Sequence, residues 1–229
     1  MEKTEDALST QITQMSDGVG FVELLEVFGN DLTVVNAARV SLNKESTEFG
    51  ERDGKLLRYL AAHEHLSPFY HPQLRFRIKM PIFVAREWYR HTVGFSRNEV
   101  SRRYVDSEPE CWVPTASTLR QRSASVKQGS KAEEIENSDI WAERIQQQTE
   151  QSCAFYNELL QANVAPEIAR TVLPQSMYTE FIETASLYAY IRLVKLRISS
   201  DAQQEIQHYA NALMRFLYTH FPQSFNAFL

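Results

Sequence analysis

Only two cysteines occur in 229 residues, Cys111 and Cys153, and neither belongs to a CxxC pair. That excludes a cysteine-rich zinc site and a disulfide scaffold, and no other metal-ligating set stands out. The ordinary reading of each is a packed or half-exposed free thiol, and a reducing cytoplasm is the compartment expected from such usage. Long apolar runs are missing too: none approaches the ~20 residues that span a bilayer, so no membrane association is expected. The first stretch, MEKTEDALSTQITQMSDG, has no basic segment followed by an apolar one and does not read as a secretory signal. Basic excess is also absent. The chain carries 24 Lys+Arg against 29 Asp+Glu, a formal net charge of −5, which argues against a general nucleic-acid binder. A local basic pocket for a phosphorylated small molecule is still open to it.

What is present is ordinary globular composition, 43% hydrophobic and 23% charged, with length enough to bury a core. The expected organisation is a polar leader over 1–18, one domain over 19–229, and a polar loop or insertion over 117–138. Gly29-Asn30-Asp31 reads as a turn, with Asp31 as the cap of a helix over Leu32–Arg39. Leu56, Leu57, Leu60 and Ala61 predict a helix over Glu51–Ala62. Leu74, Phe76, Ile78 and Met80 alternate with Arg75, Arg77 and Lys79, the period of a half-buried strand. Pro81 then opens a helix-compatible run to Tyr89. A long helix is predicted over Ile140–Ala162, a break at Val164-Ala165-Pro166, and a helix from Pro166. The C-terminal third reads as helical: Phe181–Leu196 is apolar-rich, Asp201 and Gln204 resemble a capping box, and Ile206, Tyr209, Ala210, Leu213, Phe216 and Leu217 trace one stripe. The fold class expected is α+β, an antiparallel sheet with helices packed against it.

The chemically informative stretch is Trp88–Tyr104, WYRHTVGFSRNEVSRRY, read as leaving a helix and becoming a loop. Arginine forks match phosphate oxygens, hydroxyls and amides complete such a cradle, and Asn and Glu edges read a pyrimidine or flavin rim. Taken alone, a charge-rich loop is more often a solvated surface.

The segment Ser96-Arg97-Asn98-Glu99-Val100-Ser101-Arg102-Arg103-Tyr104, with Arg90-His91 ahead of it, resembles the signature RHRxxSxNExSxRY of the flavin-dependent thymidylate synthases. Further blocks resemble the same family in the same order: Gly20–Ser41, His65-Leu66-Ser67-Pro68-Phe69, Lys79–Ala85, Arg170–Pro174 with Tyr178-Thr179, and Leu196-Arg197 followed by Ala202–Ile206. The resemblance implies a homotetramer with active sites at subunit interfaces. It implies FAD as cofactor, dUMP as substrate, and methylenetetrahydrofolate and NADPH as co-substrates. No cysteine nucleophile is needed, which agrees with two cysteines lying outside every motif.

Carried over residue by residue, Arg197 would stabilise the N3-ionised uracil that makes C5 nucleophilic. Its alternative is a helix-end arginine facing carbonyls and the dipole. Arg90, Glu99, Ser101, Arg103 and Arg170 would hold dUMP, with the backbone amide of Arg102 in the phosphate cradle and Glu87 also at the nucleotide. Ser41, Ser67, Arg90, His91, Asn98 and Glu99 would contact FAD. Surface ion pairs, local caps at Ser41 and Ser67, and a packed core histidine at His91 are the alternatives.

The sequence also departs from the family. Thr92-Val93-Gly94-Phe95 is one residue longer than the signature spacing and lacks its second arginine, a role open to Arg97 or Thr92. Glu87 stands where a nucleotide-contacting Gln is common and, when ionised, cannot donate as an amide can. Tyr70 replaces a Glu. Ser186, Tyr188 and Arg192 replace polar groups near the flavin, with Arg192 either reaching an FAD phosphate or solvated. Two rival functions stay open: a relative that alkylates UMP or installs hydroxymethyl, and a non-catalytic nucleotide-binding homologue.

Overall fold

The computed structural model describes residues 11–105, 107–123, 130, 133 and 135–229. The first ten residues of the expected leader, and most of 124–134 within the expected loop, lie outside the described residues. Five strands, β1 (Gln11–Gln14), β2 (Phe21–Phe28), β3 (Gln73–Pro81), β4 (Phe95–Glu99) and β5 (Tyr178–Ser186), form an antiparallel sheet in the order β1-β2-β3-β5-β4. Among the described residues eight α-helices accompany them: α1 (Asp31–Arg39), α2 (Glu51–Ala62), α3 (Ile82–Trp88), α4 (Ser138–Gln161), α5 (Pro166–Ala169), α6 (Leu187–Arg197), α7 (Gln204–His220) and α8 (Pro222–Asn226). The expected α+β class is what the chain adopts.

The alternation of β3 divides the sheet into two faces. Leu74, Phe76, Ile78 and Met80 are buried beneath α6 and α7, with Phe76 packed edge-on against Tyr190 and tilted against Phe216. Arg75, Arg77 and Lys79 point the other way and pair with Glu26, Glu180 and Glu110. The stripe predicted on α7 is buried throughout, so its 3.6-residue period was a true core face.

Five local expectations are corrected. Asp31 does not cap α1. Asn30 does, its side chain accepting from Thr33 N–H at 3.1 Å while Thr33 Oγ1 accepts from Asn30 N–H at 3.0 Å. The Asp31 carboxylate instead accepts the N–H groups of Gln223 and Ser224 at 2.9 and 2.8 Å, satisfying the otherwise orphan donors that open α8. Asp201 does not cap α7 either: it accepts from Ser199, and α7 starts at Gln204 with no side-chain cap.

The apolar run from Phe181 is half strand, since β5 occupies the sheet interior between β3 and β4 before α6 begins. Residues 95–99, expected as loop, form the edge strand β4, and Gln11–Gln14, expected as part of the leader, pairs with β2.

Candidate functional site

Between β5 and the edge strand β4 lies an ion pair whose acid is wholly buried. Glu183 is fully buried on the core face, directly opposite Arg97 in the β4–β5 register. Arg97 Nε donates to its carboxylate, and Trp88 Nε1–H donates to the two oxygens at 3.3 and 3.2 Å. Burial pushes the Glu183 carboxyl up, and the Arg97 charge and these donors pull against that shift. The Arg97 guanidinium also stacks over Phe95 and Tyr89. Arg97, one of the two candidates for the role of the missing signature arginine, is thus held at Glu183. Thr92 is exposed in the turn.

Above this pair the C-terminal ends of α3 and α6 meet. Gly94, at φ +81°, turns the chain from α3 into β4, and a Cβ there would lie 3.4 Å from that of Ala189. Arg197, the last residue of α6, sends its side chain away from its own helix carbonyls. Nη1 pairs with Glu87 of α3, and Nε donates to His91 Nε2 at 2.9 Å.

Burial and the charges of Arg197, Arg97 and Arg192 lower the His91 pKa to about 4, so the ring is neutral near pH 7. Arg197 borders two adjoining cavities. One, of about 440 Å³, is lined also by Glu87, Asp201 and Gln203. The other, of about 250 Å³, is lined by Arg90, His91, Val93 and Arg192. Three guanidiniums and a neutral imidazole thus converge, a donor set suited to an anion such as a diphosphate.

A further cavity of about 420 Å³ lies between the end of β4 and the start of β5, lined by Glu99, Ser101, Arg102, Arg170, Tyr178 and Thr179 among others. Thr179 Oγ1 donates to Glu99 Oε1 at 2.5 Å, and Ser101 Oγ accepts the Arg103 N–H at 3.3 Å. The Arg102 guanidinium binds the carbonyl of Ser107, with that of Glu108 at 3.5 Å, leaving its backbone as the part suited to a cradle. Arg103 is exposed, 3.7 Å from Glu167 and stacked on Tyr104. Arg170 follows α5 on a 3-10 turn packed against α4.

The expected site residues therefore fall into separate groups. Arg90, His91, Glu87 and Arg197 come together. Glu99, Ser101, Arg102 and Arg170 come together elsewhere, with Arg103 beside them. Asn98 is exposed on β4 and lines neither set of cavities. Ser41 and Ser67 do not either: Ser41 Oγ donates to Ala38 O at 3.0 Å as a turn cap, and the exposed Ser67 opens a 3-10 turn packed against α1 and α6. Ser186 is the side-chain cap of α6, accepting from Ala189 N–H at 3.3 Å.

Sequence reasoning gave no role to Thr179, which holds Glu99, or to Glu183. Thr179 stood inside a matched block, so its position was the available signal. Glu183 left none, because a lone Glu in an apolar run carries no mark of its partner. Among the described residues no group of three or more His, Cys, Asp or Glu could hold a metal ion, and no helix is long and apolar enough to cross a membrane.

Comparisons with known proteins agree on one lineage. The profile of the family described as thymidylate synthase complementing protein matches residues 23–223. A flavin-dependent thymidylate synthase of Thermotoga neapolitana is 40% identical over 210 residues, covering 92% of this chain and 91% of the relative. A Thermus thermophilus enzyme of the same name is 38% identical over 209 residues, 91% of this chain and 75% of the relative. Among solved structures, the UMP/dUMP methylase PolB from Streptomyces cacaoi bound with 5-Br dUMP superposes with a TM-score of 0.81 at 30% identity, covering 96% of this chain and 95% of that one. With a family match over residues 23–223 and a relative 40% identical over 92% of its length, the chain belongs to the thymidylate synthase complementing protein family.

Proposed function

We propose that this protein is a flavin-dependent thymidylate synthase, which converts dUMP to dTMP with methylenetetrahydrofolate as one-carbon donor and NADPH-reduced FAD as hydride source. The observation that carries the reading is the corner where Arg197 meets Glu87 and His91 at the mouth of two cavities, in a chain of this family. The donor set of Arg90, His91 and Arg192 fits the anionic diphosphate of FAD, and when bound the reduced flavin supplies the hydride that completes the methyl group. Of the expected flavin contacts, Asn98, Glu99, Ser41 and Ser67 lie away from those donors within one chain.

Arg197 is the fixed cation beside the pyrimidine. A preorganised charge of this kind stabilises the electron-rich, N3-ionised uracil more than the neutral ring, and so favours attack from C5. His91 and Glu87 hold the guanidinium from two sides, which limits its reorganisation during the reaction. Ser101, Arg103, Arg170 and the backbone amide of Arg102 form the phosphate cradle, and Glu99, braced by Thr179, faces the nucleotide base. Arg197 and this cradle line different cavities of one chain. A homotetramer that joins the Arg197 corner of one subunit to the cradle of another accounts for that separation, and the cytoplasm is the proposed setting.

The test is an anaerobic assay with FAD, NADPH, methylenetetrahydrofolate and either dUMP or UMP, with products resolved by mass. dTMP is the expected product. Turnover of UMP alone, or a hydroxymethylated product, would replace this reading with the activity of a divergent relative. PolB, described as acting on both UMP and dUMP, makes UMP the informative second substrate.

A further inference from the structure

The two cysteines, 42 residues apart in sequence, face each other with their sulfurs 3.6 Å apart. Cys111 sits on a segment fixed to the start of β5. It bridges Met177, while Glu110 O accepts from Tyr178 N–H and Ser176 O accepts from Trp112 N–H, both at 2.8 Å. Cys153 lies within α4, a 24-residue helix that buries only Thr149 and Tyr156. Asn157 Nδ2 of α4 also donates to Glu108 of this segment at 2.9 Å. A disulfide requires sulfurs about 2.05 Å apart, so an approach of roughly 1.5 Å closes the gap. Both thiols are free and half-buried, so each keeps some access to solvent.

We propose that Cys111 and Cys153 form a redox modification site, closing to an intramolecular disulfide that fastens α4 to the 107–112 segment. In the balanced step both S–H bonds break and one S–S bond forms in the protein. A small-molecule disulfide takes the two electrons and two protons and is cleaved to two thiols. Burial and the neighbouring thiol push the Cys111 pKa up to about 12, which keeps it protonated near pH 7.

The fastening has a functional side that rests on the nucleotide reading above. Arg102 binds the carbonyls of Ser107 and Glu108, just ahead of Cys111, and the turn bearing Arg170 packs on α4. Both lie on the wall of the cradle cavity. A bond between Cys111 and Cys153 therefore tightens two sides of that cavity at once.

The full-length protein is incubated with excess oxidised glutathione or with reduced dithiothreitol, then analysed by thiol titration in denaturant, intact mass and thermal unfolding. The reduced protein should titrate two thiols and the oxidised one none, with the mass of two hydrogens lost and a single-chain band on a non-reducing gel. The thermal midpoint should rise on the order of 5–10 °C on oxidation, and Cys153→Ser should show no such rise. Thiols that stay titratable, or a disulfide between two chains, would overturn the site. The KM for the uracil nucleotide should differ about fivefold or more between the two forms, and not at all in Cys153→Ser. An unchanged KM in protein whose mass shows the disulfide would overturn the fastening of the cradle. Mass and thiol count read the bond without any turnover, so a failed assay on the nucleotide does not decide it.

Discussion

Arg197 donates from Nε to His91 Nε2 at 2.9 Å across 106 residues of sequence. The contact does more than place the guanidinium. With Nε2 as acceptor, the neutral imidazole carries its proton on Nδ1. A protonated ring has no lone pair to offer Arg197, so the charge state of His91 and the orientation of Arg197 are one condition.

Acid should break that condition. In the unfolded chain His91 binds its proton below about 6.5, and in the folded chain only below about 4. Between those values the unfolded state holds more protons, so stability present above pH 6.5 is lost as the pH falls toward 4. Since the ring is only half-buried, solvent screening reduces the effect to about 1 kcal/mol. Urea unfolding of the wild type and His91→Asn at pH 7.5 and 4.5 should show a smaller pH dependence in the variant. An imidazole that titrates near 6.5 by NMR would remove His91 from this account.

Arg197→Ala should lower turnover roughly 10²–10³-fold while weakening nucleotide binding less than tenfold, because its charge matters most as electron density builds on the ring. Combining it with Glu87→Gln separates the lost cation from the carboxylate left unpaired at the same corner. Near-normal kcat in Arg197→Ala would end the activating role.

Arg103→Ala should behave in the opposite way. Loss of a charged donor to phosphate weakens affinity by about tenfold or more, with kcat at saturation little changed. Equilibrium binding of dUMP is the measurement, and unchanged affinity would remove Arg103 from the cradle.

Arg97→Met should destabilise the fold by about 3–5 kcal/mol, since it leaves the Glu183 carboxylate without its counter-ion in the core. Adding Glu183→Leu should recover most of the loss. Chemical denaturation of the single and double variants decides it: if the double variant is as unstable as the single one, the cost lies in packing rather than in the orphaned charge.

The same pair explains where the sequence could and could not be read. α2, β3 and the stripe of α7 were legible because their burial follows their hydrophobicity with a regular period. In β5 the polarity is inverted: Ile182 is 45% exposed while Glu183 is fully buried, so the alternation that marks a strand is erased. β4 is hidden for the complementary reason, since Arg97 lies inward only because Glu183 waits across the register.

The site was legible by motif rather than by physics. Its blocks could be named, yet the distance between the Arg197 corner and the cradle depends on strand lengths that no block records. Asp31 failed as a predicted cap because a side chain beside a turn can serve a helix far along the chain, and sequence offers no sign of that.

Asp31→Ala should cost about 1–2 kcal/mol, read as a drop in the urea midpoint, because two N–H groups at the start of α8 lose their acceptor. Unchanged stability would mean that water replaces the carboxylate without loss.

That cap spans 192 residues, and β3 finds its partner β5 about a hundred residues downstream. A ribosome that has made α1, β2 and β3 has thus made half of a sheet with an uncovered greasy face and an acid awaiting a helix not yet translated. Assembly of this protein is governed by late, long-range closures. Its vulnerable interval is synthesis itself, when the exposed face of β3 is a target for holdase chaperones and for aggregation.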